Sequence, residues 1–132
     1  MEIYLSPKGI LSGAELNELF STNGWQVGDS NVLGYSVKNS WHWITARNES
    51  GNLVGFVQAI SEGIRHVYIL KLIVHPDFRH QGIATSIMNN LMEIIHDNKM
   101  LPTLVATPGN VKFYEQFGFR TELKGLTAMC VR

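Results

Sequence analysis

Arg79, His80, Gln81 and Gly82 stand between an apolar strand and an apolar helix, a placement suited to gripping an anion. The first backbone N–H groups of a helix lack intrahelical partners and carry partial positive charge, so a phosphate is the natural occupant. Gly82, with no Cβ, lets the main chain approach such a group closely, and Arg79 adds a full charge. Read alone, Arg79, His80 and Gln81 also describe an ordinary solvated turn. A second group lies downstream: Asn110 and Tyr114 are four residues apart and share one helix face, beside the apolar pair Phe113 and Phe117. A tyrosine hydroxyl can donate a hydrogen bond or a proton, and an asparagine can both cap a helix and hold a ligand.

The elements that carry these residues follow from periodicity. Val67 to Val74 has β-branched and aromatic residues at both alternating sets of positions, which predicts a strand buried on both faces and ended by Pro76. Ile83, Ile87, Leu91 and Ile95 recur every fourth residue and predict a helix ending near Asn98. A strand over Thr103 to Thr107 follows, and the crossover rule sets it parallel to the first. Ligands in such sheets bind beyond the carboxyl ends of parallel strands, where both candidate groups fall. Gly109 to Phe117 reads as a brief helix closed by Gly118. Phe119 to Leu123 and Leu126 to Val131 read as a last hairpin turning at Lys124-Gly125, with Cys130 as a small buried hydrophobe.

Upstream, Ser12-Gly-Ala-Glu15 has capping-box spacing and predicts a helix running to Asn23-Gly24. Met1 to Ser6 reads as a short strand, and Val32 to Val37 as a short helix behind an Asp29, Ser30 or Asn31 cap. Trp41 to Arg47, Leu53 to Ile60 and the Val67 strand form an antiparallel meander, with turns at Asn48 to Asn52 and Glu62-Gly63.

The 132 residues fit one domain, 1–132, with 45% hydrophobic and 17% charged residues. Eleven basic residues balance eleven acidic ones, which disfavours nucleic acid as a partner. No apolar run reaches a membrane span, the start lacks a signal-peptide pattern, and the lone cysteine fits a reducing cytoplasm. The five histidines form no cluster with carboxylates or cysteines, so no metal is expected.

Val74-His-Pro-Asp-Phe-Arg79-His-Gln-Gly82-Ile-Ala84 resembles motif A of the GNAT superfamily of N-acetyltransferases, with Arg79, Gly82 and Ala84 in its defining places. Asn110-Val-Lys-Phe-Tyr114-Glu-Gln-Phe-Gly118-Phe119 is similar to motif B, and the resemblance runs from about residue 41 to the end. The Asn-to-Tyr spacing is shorter than in many members and is similar to that of glucosamine-6-phosphate N-acetyltransferases, on the cofactor side only. The resemblance implies an α+β (mixed α/β) three-layer fold with a twisted mixed sheet of six to seven strands and helices on both faces. It implies acetyl-CoA as co-substrate, its pyrophosphate held by Arg79, His80, Gln81, Gly82, Ile83, Ala84 and Thr85. Pantetheine would lie along Leu72, Ile73 and Val74, with Asn110, Phe113 and Tyr114 also touching the cofactor. A homodimer is compatible with the same resemblance.

The implied acceptor is a primary amine on a small molecule or peptide, which must shed a proton before it attacks. The departing thiolate needs a hydrogen-bond donor, and Tyr114 holds the family position for it. Glu62, His66 and His75 are the candidate bases, with Glu62 first. A non-catalytic CoA-binding or regulatory module is the alternative reading of the same pattern.

Overall fold

Ser12 and Glu15 start the first helix as their spacing predicts. In the computed structural model, which describes residues 2–131, the Ser12 hydroxyl accepts from the Glu15 N–H at 3.1 Å, and the Glu15 carboxylate accepts from the Ser12 N–H at 2.9 Å. Helix α1 (Gly13–Thr22) ends at Asn23, and helix α2 (Ser30–Lys38) begins behind the Asp29 carboxylate, which accepts from the Asn31 and Val32 N–H groups. Arg47 donates to Glu15 at 2.7 Å, and this hydrogen bond is the main reason that the Glu15 carboxyl sits below its usual range.

Five strands form one sheet in the order β1 (Tyr4–Pro7), β2 (His42–Arg47), β3 (Leu53–Ser61), β4 (His66–Val74), β5 (Leu101–Thr103). The first four pair antiparallel, and β5 joins β4 in parallel after the crossover through helix α3 (Ile83–Asp97). A three-residue 3-10 turn at Pro108–Asn110 leads into helix α4 (Val111–Glu115).

Helices cover both faces. Ile87, Leu91 and Ile95 of α3 pack with Ile44, Ala46 and Val57 on one side. Leu16, Leu19 and Phe20 of α1 and Val37 of α2 pack with Phe56 and Ile73 on the other. Each buried Val, Leu, Ile or Phe side chain contributes about 1.5–3 kcal/mol. The two helices on the second face nearly touch at Gly13, where an added Cβ would lie 1.7 Å from the Ser30 carbonyl oxygen. That neighbour is backbone and cannot swing away. Gly13→Ala should therefore force the helices apart and cost about 1–3 kcal/mol, read as a lower urea midpoint at unchanged slope.

Several expectations need correction. The described residues hold five strands rather than six or seven, because the final hairpin does not form. Its turn is present, with Lys124 and Gly125 at φ 54° and 84°, but the arms meet only in a single Leu123–Leu126 bridge. Leu126, Met129 and Cys130 are exposed, so the arms bury too little to hold a ladder, and an isolated hairpin is marginal in water. Cys130 is accordingly not a core residue. The strand expected at Thr103 to Thr107 lies two residues earlier, is three residues long and is largely exposed; Pro102 is tolerated in it because β5 is an edge strand. The strand buried along most of its length is β3, not β4, in which His66 and Tyr68 are exposed and only Val67, Ile69 and Ile73 are fully buried.

Candidate active site

The opening between β4 and β5 is the central feature. Only His66, Val67 and Tyr68 of β4 pair with β5, through Leu101, Pro102 and Thr103. Beyond Tyr68 the outer edge of β4 runs from Ile69 to Val74 with no strand beside it among the described residues, leaving a row of outward backbone groups. A bulge interrupts the same stretch: Phe56 pairs with Ile73 and Gln58 with Leu70, so two β4 residues oppose Val57, and Lys71 takes φ 59°. Bulges bend and twist the strand that carries them, here where β5 departs.

The edge leads into the corner. His75 Nδ1 accepts from the Asp77 N–H at 3.1 Å, which starts a 3-10 turn over Pro76–Phe78. His80 and Gly82 both adopt left-handed φ, 63° and 77°, and α3 starts without a side-chain cap. The first intrahelical bond here runs from the Ser86 N–H to the Gly82 carbonyl, so the Ile83, Ala84 and Thr85 N–H groups have no acceptor among the described residues. They border a cavity of about 360 Å³ lined by Val74, Phe78, Arg79, His80, Gly82 and Phe113. A Cβ on Gly82 would meet nothing within 4 Å, so main chain faces open space at that point. Leu72, Ile73 and Val74 form the adjoining edge, while Gln81 is exposed at the helix start.

The second group sits beside the first. Phe113 lines the corner cavity and stacks edge-on against Phe117 at 5.3 Å. Tyr114 turns to a neighbouring cavity of about 230 Å³ with Leu104, Val111 and Phe119, its ring 5.0 Å from that of Phe113. Its hydroxyl makes no hydrogen bond among the described residues, and burial pushes its pKa above the ordinary value, so it keeps its proton at neutral pH. Asn110 sits at the α4 N-cap without a side-chain capping bond, which leaves its amide for other partners.

Glu62 lies elsewhere. Its carboxylate accepts from the His66 N–H at 2.8 Å and the Arg65 N–H at 3.1 Å, and meets His66 Nδ1 at 2.8 Å. The His66 side-chain bond leads the causes that hold its pKa at about 2. The pair tightens the β3–β4 turn at the start of β4, while the corner lies past its end, roughly 26 Å away at about 3.3 Å per residue. Because the folded pKa lies below the ordinary 4.5, the stability Glu62 contributes is complete above about pH 4.5 and lost as pH falls toward 2. Glu62→Gln should flatten the decline of melting temperature over that window and leave turnover unchanged. His75, the third base candidate, lines the opposite side of the corner with Asp77 and Glu18.

Two residues were not anticipated. Lys71 at the bulge points to the α1 side, its ammonium 6.0 Å from the centre of the Phe20 ring, which in turn lies 5.2 Å from Trp25. Asn23, read from sequence only as a helix end, bonds to both Val74 and Arg79. No local pattern signals either, because both depend on contacts across the fold.

The acetyltransferase (GNAT) domain family matches residues 38–121 of the chain. An uncharacterized N-acetyltransferase, ycf52, of Pyropia yezoensis is 28% identical over 132 residues, spanning 97% of this chain and 76% of that protein. A GNAT-family acetyltransferase from Streptococcus pneumoniae TIGR4 superposes with a TM-score of 0.83 at 23% identity, across 99% of this chain and 98% of that one. Glucosamine-6-phosphate N-acetyltransferase from Arabidopsis thaliana gives 0.75 at 13% identity, across 98% and 99%. At these identities the two structures share the fold with this chain.

Proposed function

This chain belongs to the GNAT acetyltransferase family, and on that premise we propose that it moves an acetyl group from acetyl-CoA to a primary amine by direct attack in a ternary complex. The observation that carries this reading is the β4 edge from Ile69 to Val74, which has no strand beside it among the described residues and ends at a helix start whose Ile83, Ala84 and Thr85 N–H groups have no acceptor there, next to an open glycine. An extended amide-bearing arm can pair with such an edge as an added strand, and a pyrophosphate can sit on the Ile83 to Thr85 N–H groups with Arg79 beside it.

When bound, acetyl-CoA supplies the thioester that a neutral amine attacks. An outward N–H of the Leu72 to Val74 stretch polarises the carbonyl and stabilises the charge that develops on its oxygen. The Tyr114 hydroxyl, protonated at neutral pH and without a hydrogen-bond partner among the described residues, donates a hydrogen bond to the departing sulfur. With a pKa raised above that of an ordinary thiol, it acts as a donor and does not hand its proton over completely. The amine's proton leaves through water, since the Glu62 carboxylate is engaged by His66 and the Arg65 and His66 N–H groups at the β3–β4 turn. The acceptor approaches from the α1 side, over Phe20, Trp25 and Lys71, the face of β4 opposite α3. A reducing cytoplasm suits this chemistry.

Initial velocities of thiol release, measured across acetyl-CoA and a panel of primary amines, test the scheme. Direct transfer gives lines that intersect on a double-reciprocal plot. Parallel lines indicate an acetylated enzyme instead. Saturable acetyl-CoA binding with no amine-dependent release supports a non-catalytic module.

A further inference from the structure

Asn23 ends α1 and reaches across to the corner at the end of β4. Its side-chain nitrogen donates to the Val74 carbonyl at 3.2 Å and to the Thr22 hydroxyl at 3.2 Å, while its side-chain oxygen accepts from Arg79 Nη2. The orientation of this amide is fixed, because arginine only donates and a carbonyl only accepts. Its backbone N–H is used separately, to close α1 on the Phe20 carbonyl.

We infer that Asn23 is a positioning residue for CoA, bracing the Arg79 guanidinium beside the α3 N-terminus and covering the last β4 carbonyl; this rests on the acetyl-CoA reading above. Two effects favour the anion. An arginine already held by one N–H loses less freedom when its remaining donors meet a phosphate. The Val74 carbonyl, which would otherwise turn a bare lone pair toward the bound anion, is occupied by the Asn23 amide. The neutrality of the side chain matters too: it holds Arg79 without cancelling its charge, which a carboxylate at the same place would do.

Calorimetric titration of CoA under reducing conditions tests this with the wild type, Asn23→Ala, Asn23→Asp, Arg79→Ala and the Asn23→Ala/Arg79→Ala pair. Asn23→Ala should weaken CoA about tenfold, and Asn23→Asp more than that, because the added charge faces the phosphates. The double variant should bind only slightly worse than Arg79→Ala alone, by the part that the uncovered Val74 carbonyl contributes, since the brace itself acts through the arginine. A purely structural role predicts equal losses for the alanine and aspartate variants and full additivity with Arg79→Ala. Either result overturns the inference, as does CoA binding within twofold of wild type in both Asn23 variants. Absence of CoA binding by the wild type overturns the acetyl-CoA reading and the inference together.

Discussion

Gly82→Val should abolish measurable acetyl-CoA binding, with affinity falling by at least about a hundredfold, while the protein still folds. Gly82 sits at φ 77°, where a β-branched residue is strained by about 1–2 kcal/mol, so the melting temperature should fall by roughly 3–8 °C. A Cβ at this position meets no atom within 4 Å outside the adjoining residues, so the added side chain projects into open space. The empty space is the approach that the phosphates need. A side chain there holds them off the Ile83, Ala84 and Thr85 N–H groups, and losing two or three charge-assisted hydrogen bonds at about 1.5–3 kcal/mol each exceeds a hundredfold. Gly82→Ala should fall between wild type and Gly82→Val in both affinity and stability. Binding of acetyl-CoA by Gly82→Val within about threefold of wild type would remove the corner from the account.

Tyr114→Phe should lower kcat about ten- to a hundredfold and leave the dissociation constant for acetyl-CoA within about twofold, the value of a hydrogen bond to a developing charge. The hydroxyl has no partner among the described residues, so its removal strands no buried group and the fold should be unaffected. The pH profile gives an independent reading. Burial raises the Tyr114 pKa above 10.0, so the donating form is present throughout the neutral range and is lost only at more alkaline pH. Turnover should show no descending limb from this residue below about pH 10, and the alkaline decline should be absent in Tyr114→Phe. An unchanged kcat in that variant would exclude Tyr114 as the donor to sulfur.

The parts of the molecule readable from sequence are those set by neighbours along the chain. The Ile83, Ile87, Leu91, Ile95 stripe predicts α3 almost to the residue, because one helix face must be apolar wherever it packs on a sheet. Ser12 and Glu15 announce α1 because both halves of the capping box lie within one turn. The Arg79 to Thr85 corner is readable for the same reason: strand end, glycine and helix start are contiguous.

What the sequence hides is set by pairing. The bulge at Lys71 arises from the register of β4 against β3, and a lysine in a left-handed conformation carries no composition signal. The departure of β5 after Thr103 creates the open edge, yet an apolar run over 103 to 107 reads as a strand whether or not a neighbour remains to pair with it. Lys124-Gly125 makes its turn as expected, but a turn signal does not say whether the arms that follow have anything to bury. Glu62 reads both as a turn residue and as a candidate base, and the contacts that hold it in the turn, the His66 imidazole and two N–H groups, are not visible in its spacing. Asn23 belongs to the same class, with Val74 and Arg79 reaching it from more than fifty residues away.

The most direct measurement is amide hydrogen exchange, residue by residue, with and without saturating acetyl-CoA. An arm paired with the free edge of β4 and a pyrophosphate on the helix start should slow alternate amides from Ile69 to Val74 together with those from Gly82 to Ser86, leaving β1 and β2 unchanged. Protection confined to other elements, or none along Ile69 to Val74 while acetyl-CoA is demonstrably bound, would contradict the site.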